Sequence, residues 1–182
     1  ASLEAFSGLA ASLASSRAVL ATGPAKSLVA LGLAATATAD GRRVALLECD
    51  LATPTLAGTL GLSARPGFHE YLRGEADTER ILQSLVLAGP ASGRASEPLV
   101  CIVAGEPAAA PVPLLDSERS DHAIQGLCRA YDLLVIDGPP LSEDRYALQA
   151  LSEHAGATVV CGERRDIPKR LPISVAGLVV CD

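Results

Sequence analysis

The chain has 182 residues, 49% of them apolar, and a formal net charge of −6. That length suits one domain with a sizeable core, and no apolar run approaches the roughly 18 residues of a membrane span. The acidic balance, without a basic stripe interleaved with aromatics, excludes a general nucleic-acid binder, so no nucleic-acid partner is expected.

No basic-then-apolar leader stands at the start of the residues given, so this part of the chain is expected to be soluble. The cysteines Cys49, Cys101, Cys128, Cys161 and Cys181 have no Cys-x-x-Cys spacing and lie mostly in apolar runs. They read as buried thiols of a cytosolic protein.

Ser2 to Ser15 has a helical apolar rhythm through Leu3, Phe6, Leu9 and Leu13. Arg17 to Thr22 is a short strand, and Lys26 to Ala39 an Ala- and Leu-rich helix closed by Asp40-Gly41, a glycine stop. Arg43 to Glu48 is a second strand, and Thr53-Pro54 starts a helix, with proline pre-set for its first turn. Gly67 to Gln83 is mixed turn and helix, turning Phe68, Tyr71 and Leu72 inward. Gly89 to Glu97 is an exposed loop.

Leu99 to Val103 is the third expected strand, followed by an Ala/Pro segment over 104–113. Ser117 to Tyr131 is an amphipathic helix with Ile124, Leu127 and Ala130 on one face. Leu133 to Ile136 is a strand, Ser142 to His154 a helix, and Ala157 to Cys161 and Val175 to Val180 two further strands. About a dozen residues, with Pro168 and Pro172, join those last two, near the minimum for a parallel crossover. Either a helix is missing there or the sheet edge is irregular. Strands alternating with helices predict an α/β fold over 1–182, a parallel sheet covered on both faces. Val44–Leu47 and Leu133–Ile136 are expected as buried neighbours of the first strand.

Three elements carry chemistry. Lys26-Ser27 opens a helix after the first strand, as the end of a phosphate-binding loop does. A working loop, Gly-x4-Gly-Lys-Ser/Thr, wraps phosphates with successive amides, its lysine reaching the outer phosphates and its hydroxyl binding Mg. Here the only local glycine is Gly23, and Pro24 after it has no N–H. Unless residues are missing around Gly23, the loop is too short for a triphosphate; the alternative is an ordinary strand-to-helix turn. Glu48-x-Asp50 ends the second strand with two carboxylates, which are costly to bury without a cation or donors, or else lie in a solvated turn. Asp137, in Ile-Asp-Gly-Pro-Pro, is the strongest signal: a strand-terminal aspartate before a rigid turn can hold the water shell of Mg. His69, His122 and His154 share no metal spacing. Neither a Gly-x-Ser-x-Gly elbow nor a Gly-x-Gly-x-x-Gly turn occurs.

The ordered set resembles a family: the cytoplasmic P-loop ATPase domain of bacterial tyrosine kinases and chain-length regulators of capsular and exopolysaccharide synthesis, within the partitioning-ATPase class. The resemblance rests on Lys26–Ala34, Arg43–Leu51, Pro54-Thr55-Leu56, Pro66–Glu75, Leu114–Arg119 and Tyr131–Pro140. It implies a doubly wound P-loop NTPase sheet, ATP and Mg as cofactors, and catalysis resting on Lys26, Glu48 and Asp50. It also implies cofactor contacts at Gly23, Lys26 and Ser27, and Mg held by Ser27, Asp50 and Asp137. A membrane-bound polysaccharide co-polymerase or transmembrane adaptor is the implied partner at the inner face of the membrane, with self-association possible. Several positions depart from the family. Glu48 stands where an aspartate is usual, Ala52 replaces a basic residue, Glu4 lacks the arginines that follow it, and Cys181-Asp182 replaces an adenine-reading asparagine. Three functions follow: a Mg-ATP-dependent tyrosine autokinase, a non-catalytic scaffold on the same fold, or a partitioning-type ATPase that positions cargo.

Overall fold

The computed structural model describes residues 3–87, 97–141, 145–163, 165 and 173–180. The elements run α1 (Leu3–Ser12), β1 (Ala18–Thr22), α2 (Lys26–Ala39), β2 (Val44–Glu48), α3 (Leu56–Leu60), α4 (Phe68–Leu72), α5 (Thr78–Ile81) and β3 (Gln83–Leu85). They continue with β4 (Leu99–Ile102), α6 (Pro111–Leu115), α7 (Glu118–Ala130), β5 (Leu133–Asp137), α8 (Arg145–His154), β6 (Ala157–Gly162) and β7 (Gly177–Val180). No helix among the described residues is long and apolar enough to cross a membrane.

The strands form one seven-stranded sheet in the order β3-β4-β2-β5-β1-β6-β7. All neighbours are parallel except β3, which pairs antiparallel with β4. The expected parallel sheet is present, with two corrections. β5 lies between β1 and β2, so β2 is not a direct neighbour of the first strand; the other flank of β1 is taken by β6. The edge strand β3 was not expected: it begins at Gln83, the last residue of the stretch expected to be turn and helix, and runs on to Leu85. Its three residues alternate between half-buried and exposed, too short a run to carry a periodic signal.

Both faces are covered, which is why β1, β2, β5 and β6 are buried at every position. On one face Val19, Ala21, Leu46, Val135 and Val159 meet α1 and α2. On the other, Leu20, Leu47 and Ile136 meet α4, α6, α7 and α8 through Phe68, Leu115, Ile124 and Leu148. Alanines at 30, 34 and 37 let α2 approach the sheet closely, and Phe6 of α1 packs against Gly32, where a β-carbon would fall 2.5 Å from its ring.

The end of α2 follows from its local sequence. Gly41, at φ +81°, donates its N–H to the Thr38 carbonyl, and Arg42 donates to Ala37. This closes the helix in the Schellman manner that the Asp40-Gly41 pair predicts. Ser117 caps α7 by accepting the Ser120 N–H. The loop expected over 89–97 lies almost wholly outside the described residues, as do Pro168 and Pro172 and the first residues, 142–144, of the helix expected from Ser142 to His154. Cys49, Cys101 and Cys161 are buried and Cys128 is half-buried; Cys181 lies outside the described residues.

Candidate functional site

Three adjacent strands, β2, β5 and β1, end at the same edge of the sheet, and the chain leaves each of them with a polar residue. Carboxyl edges of parallel strands are where α/β proteins bind ligands. β1 passes through Thr22 into the turn 23–25 and then α2, which begins at Lys26. β2 ends at Glu48 and runs on to Asp50. β5 ends at Asp137, in register with Ala21 on one side and Glu48 on the other.

Lys26 lies between two of these acids. Its Nζ stands 3.0 Å from Asp50 Oδ2 and 3.2 Å from Asp137 Oδ1, and all three residues are buried. Burial lowers the pKa of the ammonium, but the Asp137 and Asp50 carboxylates outweigh it and the net shift is upward. For Asp137, burial and the Glu48 carboxylate raise the pKa, Lys26 and the Ser27 hydroxyl lower it, and the net shift is upward. Lys26, Asp50 and Asp137 thus converge at one edge of the sheet, as expected, with the Ser27 hydroxyl beside Asp137.

Asp50 is fully engaged. Besides Lys26 it accepts the Thr53 N–H at 3.0 Å and the Thr53 hydroxyl at 2.9–3.0 Å on both oxygens. Asp137 is not: its Oδ2 is buried and has no protein hydrogen-bond partner among the described residues. A buried carboxylate oxygen without a donor is costly, and a cation or its hydration water would satisfy it. This donor set fits Mg, with Asp137 and the Ser27 hydroxyl as the residues that would hold it.

Glu48 departs from its expected role. It is fully buried, but its Oε1 accepts the Thr55 and Leu56 amides at 2.6 and 2.8 Å, and its Oε2 accepts the Ala104 amide at 2.9 Å. The extra methylene of glutamate carries the carboxylate past the strand end to the start of α3 and the exit of β4. There it satisfies backbone donors. Composition could not reveal these partners, because they are main-chain amides from distant segments.

The turn before Lys26 is short, and its geometry is tight. Gly23 is buried at φ +100°, and a β-carbon there would fall 2.3 Å from the Cys161 carbonyl. The Ala25 N–H is given to that same carbonyl and the Lys26 N–H to Gly23, both at 3.2 Å. Pro24 has none to give. The Ala25 amide docks the turn against β6 and the Lys26 amide closes the turn on itself, so both are engaged inside the protein. Thr22 braces the same region by donating its hydroxyl to the Pro139 carbonyl at 2.7 Å.

Beyond this edge, the Pro-Gly-Phe stretch is built around Glu70, a buried residue whose role the sequence did not reveal. Burial raises its pKa, but the Gly67 and Glu106 amides and Arg65 hold it below the usual carboxylate range. Gly105, at φ +95°, leaves room for that carboxylate: a β-carbon there would lie 2.0 Å from Glu70 Oε2. The histidines remain apart, and no group of three or more His, Cys, Asp or Glu side chains placed to hold a metal occurs among the described residues.

No protein-family model matches the chain. It is 27% identical over 124 residues to the tyrosine-protein kinase ptk of Acinetobacter johnsonii, covering 66% of this chain and 16% of that protein. It is 30% identical over 127 residues to the putative tyrosine-protein kinase EpsB of Ralstonia nicotianae, covering 68% of this chain and 16% of that one. The chain therefore spans about one sixth of the length of these relatives. The crystal structure of the VpsO kinase domain superposes with a TM-score of 0.79 at 22% identity, covering 98% of this chain and 92% of that one. The chain is a homologue of bacterial tyrosine kinases and has the P-loop NTPase fold of their kinase domains.

Proposed function

We propose that this chain is a kinase-fold module of a bacterial exopolysaccharide- or capsule-synthesis protein whose triphosphate cradle is degenerate, so that it regulates or scaffolds without transferring phosphate. The observation that carries the proposal is the turn 23–27. Its Ala25 and Lys26 amides are bonded inside the protein, Pro24 has no N–H, and the Lys26 ammonium is neutralised by Asp50 and Asp137. Phosphoryl transfer depends on electrostatic positioning of the phosphates, and that positioning needs the donors this turn has used. The kinase relatives support the place in polysaccharide synthesis. The partner is a membrane-bound polysaccharide co-polymerase or transmembrane adaptor at the cytoplasmic face, engaged by one or several copies of the module.

A second reading, an ATP- and Mg-dependent tyrosine autokinase, is favoured by one feature: the unpartnered Asp137 Oδ2 beside Ser27 and Lys26. Calorimetric titration of the chain with MgATP separates the two. Little or no heat up to millimolar nucleotide is expected, and no phosphotyrosine on incubation. Micromolar binding that Lys26→Ala removes would overturn the degenerate-site reading.

A further inference from the structure

Away from the Lys26 cluster, a cavity of about 300 Å³ opens between α4, α5 and α7, over β4. Its floor is apolar: Phe68, Ile102 and Leu127 are all buried. The chain has only five aromatic side chains, and three of them, Phe68, Tyr71 and Tyr131, line this one cavity. Phe68 and Tyr71 lie nearly parallel, 7° apart in plane with ring centroids at 6.1 Å, and Arg119 covers Tyr71 with its guanidinium 4.6 Å from the ring centroid. At the exposed mouth stand the Thr78 hydroxyl and the His122 ring, neither with a protein hydrogen-bond partner among the described residues. An aromatic-poor chain that gathers its rings around an open apolar space, with polar groups at the rim, has the composition of a small-molecule site.

From this geometry we propose that the cavity is a binding site for a small planar aromatic molecule carrying one hydroxyl or amine. The size sets the class. About 300 Å³ is at the lower bound of ligand pockets, enough for a single substituted ring. A docked protein would need roughly 800 Å² on each side, far more than a pocket of this volume offers. The ring inserts among the half-buried Tyr71, Leu82 and Tyr131, above the Phe68 floor, and its polar substituent meets Thr78 or His122 at the mouth. The site uses no residue of the Lys26 cluster, so it stands or falls independently of the nucleotide reading.

The test is a titration of the chain with 4-methylphenol, followed by amide resonances in NMR, beside 4-methylcyclohexanol, which has the same skeleton without planarity. Saturable shifts centred on α4 and α7 with a Kd of roughly 1 mM are expected, and binding of the saturated analogue weaker by about fivefold or more. Gly126→Leu fills the cavity from α7. A β-carbon at Gly126 meets nothing within 4 Å, and leucine is favoured over glycine inside a helix, so the variant should fold. It should weaken 4-methylphenol by about tenfold or more. Absence of saturable shifts, shifts centred elsewhere, equal binding of the saturated analogue, or undiminished binding in folded Gly126→Leu would each overturn the proposal. If that variant does not fold, the position of the shifts in the unaltered chain decides.

Discussion

Glu48 and Asp137 are register partners on adjacent strands, yet only Asp137 contacts the Lys26 ammonium. Glu48 is turned to the Thr55, Leu56 and Ala104 amides. One methylene separates an acid at the cluster from an acid that ties the start of α3 and the end of β4 to β2.

Glu48 is therefore expected to act on stability. In Glu48→Gln the side-chain NH₂ replaces one acceptor oxygen and faces a backbone donor, at a cost of about 1–3 kcal/mol. Glu48→Ala leaves all the amides unpaired and should cost more. Urea denaturation checks the order. Two variants as stable as the parent would mean that the amides find other acceptors.

Lys26→Ala should be more severe, because it leaves the buried Asp50 and Asp137 facing each other without a counter-ion. Removing one partner of a buried pair costs about 3–5 kcal/mol. Without Lys26 the Asp137 pKa, already raised by burial, rises further. A carboxyl group held above its unfolded pKa binds its proton more tightly in the folded state, so the deficit should shrink as pH falls. Thermal melts of parent and variant at about pH 8 and pH 5 test this. A deficit that grows toward pH 5 would rule out the mechanism.

The strand ends were legible because a buried apolar run that stops at an acid has few explanations, and Asp137, Asp50 and Lys26 met as their positions at those ends require. The destination of Glu48 was not legible, since backbone amides have no identity in a sequence. Nor was β3, whose pairing with β4 decides its conformation more than Gln83-Ser84-Leu85 does. The aromatic cavity escaped for a related reason: its rings come from α4 and from Tyr131 just after α7, and only the fold brings them together.

Asp132 gives a pH-dependent signal at the opposite end of β5. Hydrogen bonds from the Arg43 side chain and backbone hold its pKa down at about 2, against an ordinary 3.8. A depressed carboxylate stabilises the fold above its unfolded pKa. The contribution fades as pH falls from about 4 to about 2. NMR titration should find this value, and Arg43→Gln should return it toward 3.8. A titration near 3.8 in the intact chain would show that the pair does not persist in solution.

Thiol labelling should follow burial. Burial pushes Cys101 up to about 11, and burial with the adjacent Asp137 and Glu48 carboxylates pushes Cys49 well above the ordinary thiol range. Cys128, half-buried on α7, is also raised, but it is reachable. Iodoacetamide at about pH 8 should therefore modify Cys128 before Cys49 and Cys101, which react only on unfolding. Early alkylation of Cys49, read by peptide mass spectrometry, would mean that the site edge opens readily.

Restoring the loop is the most direct probe of the candidate site. Replacing Gly23-Pro24-Ala25 with a six-residue Gly-x4-Gly segment supplies amides that are not committed to Cys161, and leaves Lys26 and Ser27 at the head of α2. An incoming triphosphate would then compete with Asp50 and Asp137 for the ammonium, while Mg would meet the free oxygen of Asp137. The restored chain should bind MgATP at least about 100-fold more tightly than the parent. Adding Lys26→Ala to the restored chain should remove that gain, because the lysine is the cation that pairs with Asp50 and Asp137. Equal affinity of parent and restored chain by calorimetry would mean that the short turn is not what limits nucleotide binding.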